Sequence, residues 1–234
     1  MLKILEAVIN MSKIDEFEQR IIKEGMTDED FLEYGKLLKR VHDNFLKRQH
    51  CYSTAIQFSP EHADQAIKLI QYGLENFDDS WFSTYTSYLF MGQIYEKTNN
   101  YKKAFDSYLL AKNTLGEDNF EYERILSVDL LWMKLHIDCF CYSQELENYY
   151  SHYIEANEFS KLLINNEFRA AIAEIVIFLH YGKTDEARKS LEKAKKICQP
   201  NYIGKLYNIL ARHNYKETLN TTPEVMKFIK KIKI

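Results

Sequence analysis

Between Tyr85 and Asp118, small and large side chains recur at fixed helical intervals: Tyr88-x2-Met91-Gly92-x2-Tyr95, then Ala104-x3-Tyr108 and Ala111. Residues three and four apart share one face of an α-helix, so each half reads as a helix and not as a strand. Gly92, Ala104 and Ala111 are small where two antiparallel helices must approach, while Tyr88, Tyr95 and Tyr108 are large enough to fill the gaps beside them. The polar stretch Lys97 to Asn100 has the length of a helical-hairpin turn. This segment confines the chain to paired antiparallel helices whose apolar sides need neighbours.

The spacing resembles one unit of the tetratricopeptide repeat. Tyr88, Met91-Gly92 and Tyr95 stand where that repeat has Trp, Leu-Gly and Tyr, and Ala104 and Tyr108 stand where it has Ala and Phe. A further unit begins near Phe168, with Ala171, Phe178, Gly182 in the turn, Ala187-x3-Leu191, Ala194 and Pro200. Its Glu174-Ile175 departs from Leu-Gly, and Ala66-x3-Ile70 with Gly73 repeats the second half alone. The resemblance implies an all-α, TPR-like array of antiparallel hairpins, an α-solenoid, filling one domain over 1–234. Its parts would be N-terminal helices over 1–48, hairpins over 49–200 and C-terminal capping helices over 201–234.

The rest of the chain is consistent with that class. Seven Gly and three Pro are few breakers for 234 residues, and no clear alternating segments suggest strands. Residues 2–23 read as an amphipathic helix loosened near Ser12 and stopped at Gly25. Thr27 with Asp30 forms a capping-box start for a helix running to about Arg48. Ser59-Pro60-Glu61 opens another helix. Tyr122 to Phe140 is apolar nearly all round, as a helix covered on two sides would be, and Gln144 to Leu163 is its aromatic partner. Helices over Tyr202–His213 and from Pro223 close the chain.

Charge and composition narrow the function. A net charge of −3 gives no electrostatic reason for nucleic acid as a partner. The longest aliphatic or aromatic run, Ile175 to Leu179, is far short of the ~20 residues that cross a bilayer, and the N-terminal stretch lacks a signal-peptide core. Four scattered cysteines fit reduced thiols in a cytoplasmic protein. His136, Cys139 and Cys141 are poorly aimed at a common ion when placed on one helix, so neither a metal nor another cofactor is expected. No phosphate loop, His-Glu-x2-His or Gly-x-Ser-x-Gly is present, so the chain reads as non-enzymatic. The basic C-terminal stretch Met226–Ile234 reads as helix-end cations beside capping isoleucines.

In tetratricopeptide proteins, partners usually lie along the inner face of each first helix. Carried over, those positions are Thr86, Leu89, Gln93, Glu96 and Lys97 in one unit, and Arg169, Ile172, Val176, Leu179 and His180 in the other. Leu89 and Gln93 stand where a carboxylate clamp would need Lys or Asn, so a chaperone-tail clamp is not expected. The function implied is binding of a protein or peptide through a helical groove. The alternatives are an immunity or antitoxin-type protein that neutralises a toxin, and a peptide-sensing regulator or small-ligand receptor.

Overall fold

The computed structural model describes residues 2–78, 80–116, 119–157 and 164–197. Among them the chain forms ten α-helices and no strand: α1 Leu2–Glu24, α2 Asp28–Leu38, α3 Asn44–Ala55, α4 Ala63–Asn76, α5 Trp81–Lys97, α6 Tyr101–Asn113, α7 Phe120–Ile137, α8 Gln144–Asn157, α9 Ile164–His180 and α10 Thr184–Ile197. The all-helical expectation is met over these residues. The helices expected over Tyr202–His213 and from Pro223, with Cys198, Pro200 and the stretch Phe159–Leu163, lie outside the described residues. By internal packing the chain divides into two compact units, Met1–Gly116 and Glu117–Ile234.

In the first unit, α1 runs unbroken past Ser12, where a loosening was expected. A lone serine costs a helix only about 0.5 kcal/mol, and no Gly or Pro accompanies it. Gly25, at φ +82°, ends the helix as read from the sequence. Thr27 then caps α2, its hydroxyl accepting from the Asp30 N–H while the Asp30 carboxylate accepts from the Thr27 N–H. The helix expected to reach Arg48 is instead two. α2 stops at Leu38, and α3 begins after Asp43, whose carboxylate accepts from the Leu46 N–H. A strong N-cap residue inside an apolar pattern was the signal for that break. Pro60–His62 forms a single 3₁₀ turn that leads into α4, consistent with proline at a helix start.

Three polar ties cross this unit's apolar core. The core includes Ile14, Phe17 and Ile21 of α1, Tyr34 and Leu38 of α2, Cys51 and Tyr52 of α3, and Leu69 and Ile70 of α4. Arg20 pairs with Asp30 at 2.6 Å and holds that carboxyl down at about 2, against the opposing effect of its burial. Glu18 accepts from Tyr34 and lies 2.8 Å from His50 Nδ1, joining α1, α2 and α3. Arg48, only 3% exposed, donates to Ser83 Oγ at 3.2 Å and Thr84 Oγ1 at 2.7 Å, tying α3 to α5.

α5 and α6 form the hairpin expected from the small-and-large spacing. A Cβ added at Gly92 would lie 2.4 Å from the Tyr108 ring, so the glycine is what admits that ring. Ala104, Tyr108 and Ala111 are fully buried. The turn is fixed by its backbone: Asn99 adopts φ +58°, and the Asn100 N–H reaches back to the Tyr95 carbonyl at 2.8 Å. Bonds of this kind satisfy carbonyls that a helix end leaves without partners.

In the second unit, α7 packs against both α8 and α9. Its Leu126, Leu130, Leu131, Trp132, Met133 and Leu135 are all buried, as expected of a helix with two packed neighbours, while Ile125 and Ile137 of the same apolar stretch are exposed. α9 and α10 form a second hairpin. Gly182 takes φ +68°, and the Lys183 N–H bonds the Phe178 carbonyl at 2.8 Å, repeating the α5–α6 turn. Ala187, Leu191 and Ala194 follow Gly182 at the intervals by which Ala104, Tyr108 and Ala111 follow Asn99, and all are buried. Glu174 links three helices by accepting from Tyr150 at 2.9 Å and Ser190 at 2.6 Å.

Candidate functional site

The residues carried over from the repeat pattern occupy different environments. In the first unit, Thr86 is buried and its hydroxyl donates back to the Phe82 carbonyl at 2.7 Å. Leu89, Gln93 and Glu96 are half-buried, and Glu96 accepts from the Tyr108 hydroxyl at 2.9 Å. Lys97 is exposed.

In the second unit, Ile172 and Val176 are buried, because α9 is covered by α7, α8 and α10. Arg169 points its guanidinium at Asp129 of α7, 2.6 Å away, and lies over the Trp132 ring. That places Arg169 as a strut between two helices. Leu179 and His180 are exposed.

His180 belongs to a surface cluster that the repeat pattern did not indicate. The α7–α8 connection carries Tyr142, whose ring stacks flat on His180 with centroids 3.6 Å apart. Tyr181, 50% exposed, stands edge-on to His180 at 5.0 Å. Both phenols donate to one oxygen of Glu147 on α8, at 2.7 Å from Tyr142 and 2.8 Å from Tyr181. Those two bonds hold the Glu147 carboxyl below its ordinary range, and the Tyr181 and Glu147 contacts raise the Tyr142 phenol above its own. Lys183 lies over the Tyr181 ring at 5.8 Å.

Two connections and two helices therefore build one aromatic face whose two phenols share an anionic anchor, with a cation at its edge. The signal available in the sequence was local: His180-Tyr181 directly before a turn glycine puts two rings where α9 leaves its core. Nothing in the sequence linked them to Tyr142.

His136 is buried beneath Trp132 and Phe140, and burial followed by the nearby Arg169 charge pushes its imidazole down to about 3. Cys139 and Cys141 are exposed in the following turn, so the three do not converge on one point. Among the described residues no group of three or more His, Cys, Asp or Glu is arranged to hold a metal ion. Nor is any described helix long and apolar enough to cross a membrane. A depression of about 270 Å³ between α2 and α4 is lined by Asp28, Phe31, Lys68, Gln71, Tyr72 and Glu75, with both charge signs on its rim. Compared with known proteins, the chain finds no match: no family model, curated protein or solved structure aligns with it.

Proposed function

We propose that this chain is a non-enzymatic, TPR-like module that binds a protein or peptide, and that its contact surface in the second unit is the face formed by Tyr142, His180 and Tyr181. The observation that carries the reading is that face itself. His180 and Tyr181 are exposed and Tyr142 is half-buried, and the rings are held by stacking and by two hydrogen bonds to Glu147. Aromatic side chains already fixed in position lose little freedom on binding, which is why such residues dominate contact energies. The TPR-like part is supported by the common turn and common small-residue spacing of the α5–α6 and α9–α10 hairpins.

Arg169 is not included in this surface, since its guanidinium is engaged by Asp129. The first unit would contribute through Leu89, Gln93 and Lys97, carried-over positions that keep accessible surface.

The test is quantitative retention of partners by the wild-type chain against a Tyr142→Ala/Tyr181→Ala variant, with thermal melts on both. The reading predicts that a partner held by the wild type is lost by at least tenfold while the melt is unchanged. Equal retention by a folded variant would overturn this surface.

A further inference from the structure

We propose that Cys139 and Cys141 are a dithiol site that closes to an intrachain disulfide by exchange with a low-molecular-weight disulfide, and that closure moves Tyr142 off the His180 ring. Cysteine is among the side chains most often buried, and Cys51 follows that rule. Cys139 and Cys141 do not: both are exposed, one residue apart, in the connection between α7 and α8.

The backbone there is unusual. The Cys141 N–H bonds the Asp138 carbonyl at 2.9 Å, closing a four-residue turn whose central residues Cys139 and Phe140 have φ of +52° and +59°. Left-handed values at both central positions select Gly, Asn or Asp, and other residues are strained there. Phe140 has an evident compensation, since its ring packs on His136 at 5.0 Å. Cys139 has no such burial, and its thiol makes only a 4.0 Å contact to the Ile137 carbonyl.

The same curled backbone suits the Cα separation that a disulfide needs. Helix-like curl of either hand places Cα atoms two residues apart at about 5.5 Å, inside the ~4.4–6.8 Å span a disulfide bridges, whereas extended chain places them at about 7 Å.

Closure proceeds in two balanced steps. One deprotonated thiol attacks a sulfur of the small disulfide, forming a mixed disulfide and expelling one small thiolate. The second deprotonated thiol attacks the protein sulfur of that mixed disulfide, forming the Cys139–Cys141 bond and expelling the other thiolate. Two electrons pass to the small disulfide, and the protons from the two cysteines are released to solvent or taken up by the departing thiolates. A ring closed over one intervening residue is small, which puts the bond in the labile, readily reduced class.

Cys141 is bonded directly to Tyr142, so re-forming the turn shifts the residue whose ring covers His180. Only the consequence for binding rests on the proposed contact surface; the thiol chemistry stands without it.

The test uses the full chain, reduced and then equilibrated with mixtures of oxidised and reduced glutathione, followed by acid quench, alkylation and peptide mass mapping. The expected product is a monomer whose Cys139–Cys141 peptide has lost both alkylation sites and carries no glutathione. Cys139→Ser, or Cys141→Ser if the first does not fold, should instead retain one glutathione on the remaining cysteine. Glutathione persisting on either cysteine of the wild-type chain, or disulfide-linked dimers in place of closure, would overturn the site. The second readout is the His180 ring proton resonance, displaced by the stacked Tyr142 ring. Oxidation should move it towards its position in Tyr142→Leu, and an unmoved resonance in the closed form would overturn the coupling. Neither readout involves a partner, so failure here is distinct from failure of the binding face.

Discussion

The hairpins α5–α6 and α9–α10 have the same turn and the same small-residue spacing but fill their interiors differently. In the first, Gly92 leaves room that the Tyr108 ring occupies, and the ring's hydroxyl reaches Glu96. At the corresponding positions of the second, Ile175 and Leu191 are both buried, neither of them minimal nor aromatic. A hairpin therefore preserves its backbone when one side of a packed pair gains the volume that the other gives up. What must stay constant is the turn, and what is free to vary is the face left outside. Beside its turn the first hairpin presents Lys97, and the second presents His180 beneath Tyr142.

The strongest way to break this comparison is to put the second hairpin's residue into the first. Gly92→Ile alone should cost about 3 kcal/mol, since even a Cβ collides with the Tyr108 ring. Adding Tyr108→Leu should recover more than half of that loss. Denaturant melts on both singles and the double give the coupling directly, and strict additivity would refute the exchange of volumes.

Acid should separate the two units next. His136, with Arg169 facing it from α9 and Asp129 paired to that arginine, has an imidazole pushed down to about 3. Its contribution is fully present above the unfolded value of about 6.5 and is lost as pH falls from there towards 3, because the unfolded chain takes up the proton first. Between pH 8 and pH 5 the second unit should lose about 2 kcal/mol, and His136→Leu should flatten that dependence. Asp30 in the first unit, held at about 2, contributes above its unfolded value near 3.9 and loses that contribution as pH falls through 2. Local hydrogen exchange followed against pH distinguishes these windows, and a single shared transition above pH 5 would contradict them.

Smaller effects belong to the turns. Gly182→Ala should cost about 1 kcal/mol because φ +68° is unfavourable for any side chain, and Asn99→Ala somewhat less because asparagine already bears part of that cost. The surface comes last: Tyr181→Ala should leave the melting temperature nearly unchanged while weakening partner binding.

The features legible in the sequence were those fixed by local chemistry. Gly25, the Thr27–Asp30 capping box, Pro60, Gly182 and the Gly92–Tyr108 spacing each act over a few residues, so their roles follow from identity and separation. The α2–α3 break was equally local, but the apolar pattern running through Val41 and Phe45 masked the Asp43 cap. The candidate site was less legible because it depends on pairing between helices distant in sequence. Nothing near Arg169 names Asp129 as its partner, and nothing near Tyr142 announces His180. Repeat positions assign inward or outward only when each first helix has one covered side, and α9 is covered by three neighbours, which is why Ile172 and Val176 are buried.

The most direct measurement compares two exposed aromatics, Tyr181 in the second unit and Trp81 in the first, 50% and 44% accessible. A photo-crosslinking amino acid is placed at each in turn, and adducts formed in the native cell are identified by mass spectrometry. The account predicts a defined protein adduct from Tyr181 that disappears when Tyr142→Ala is added, with little from Trp81. A defined adduct from Trp81 and none from Tyr181, in chains that melt normally, would contradict it.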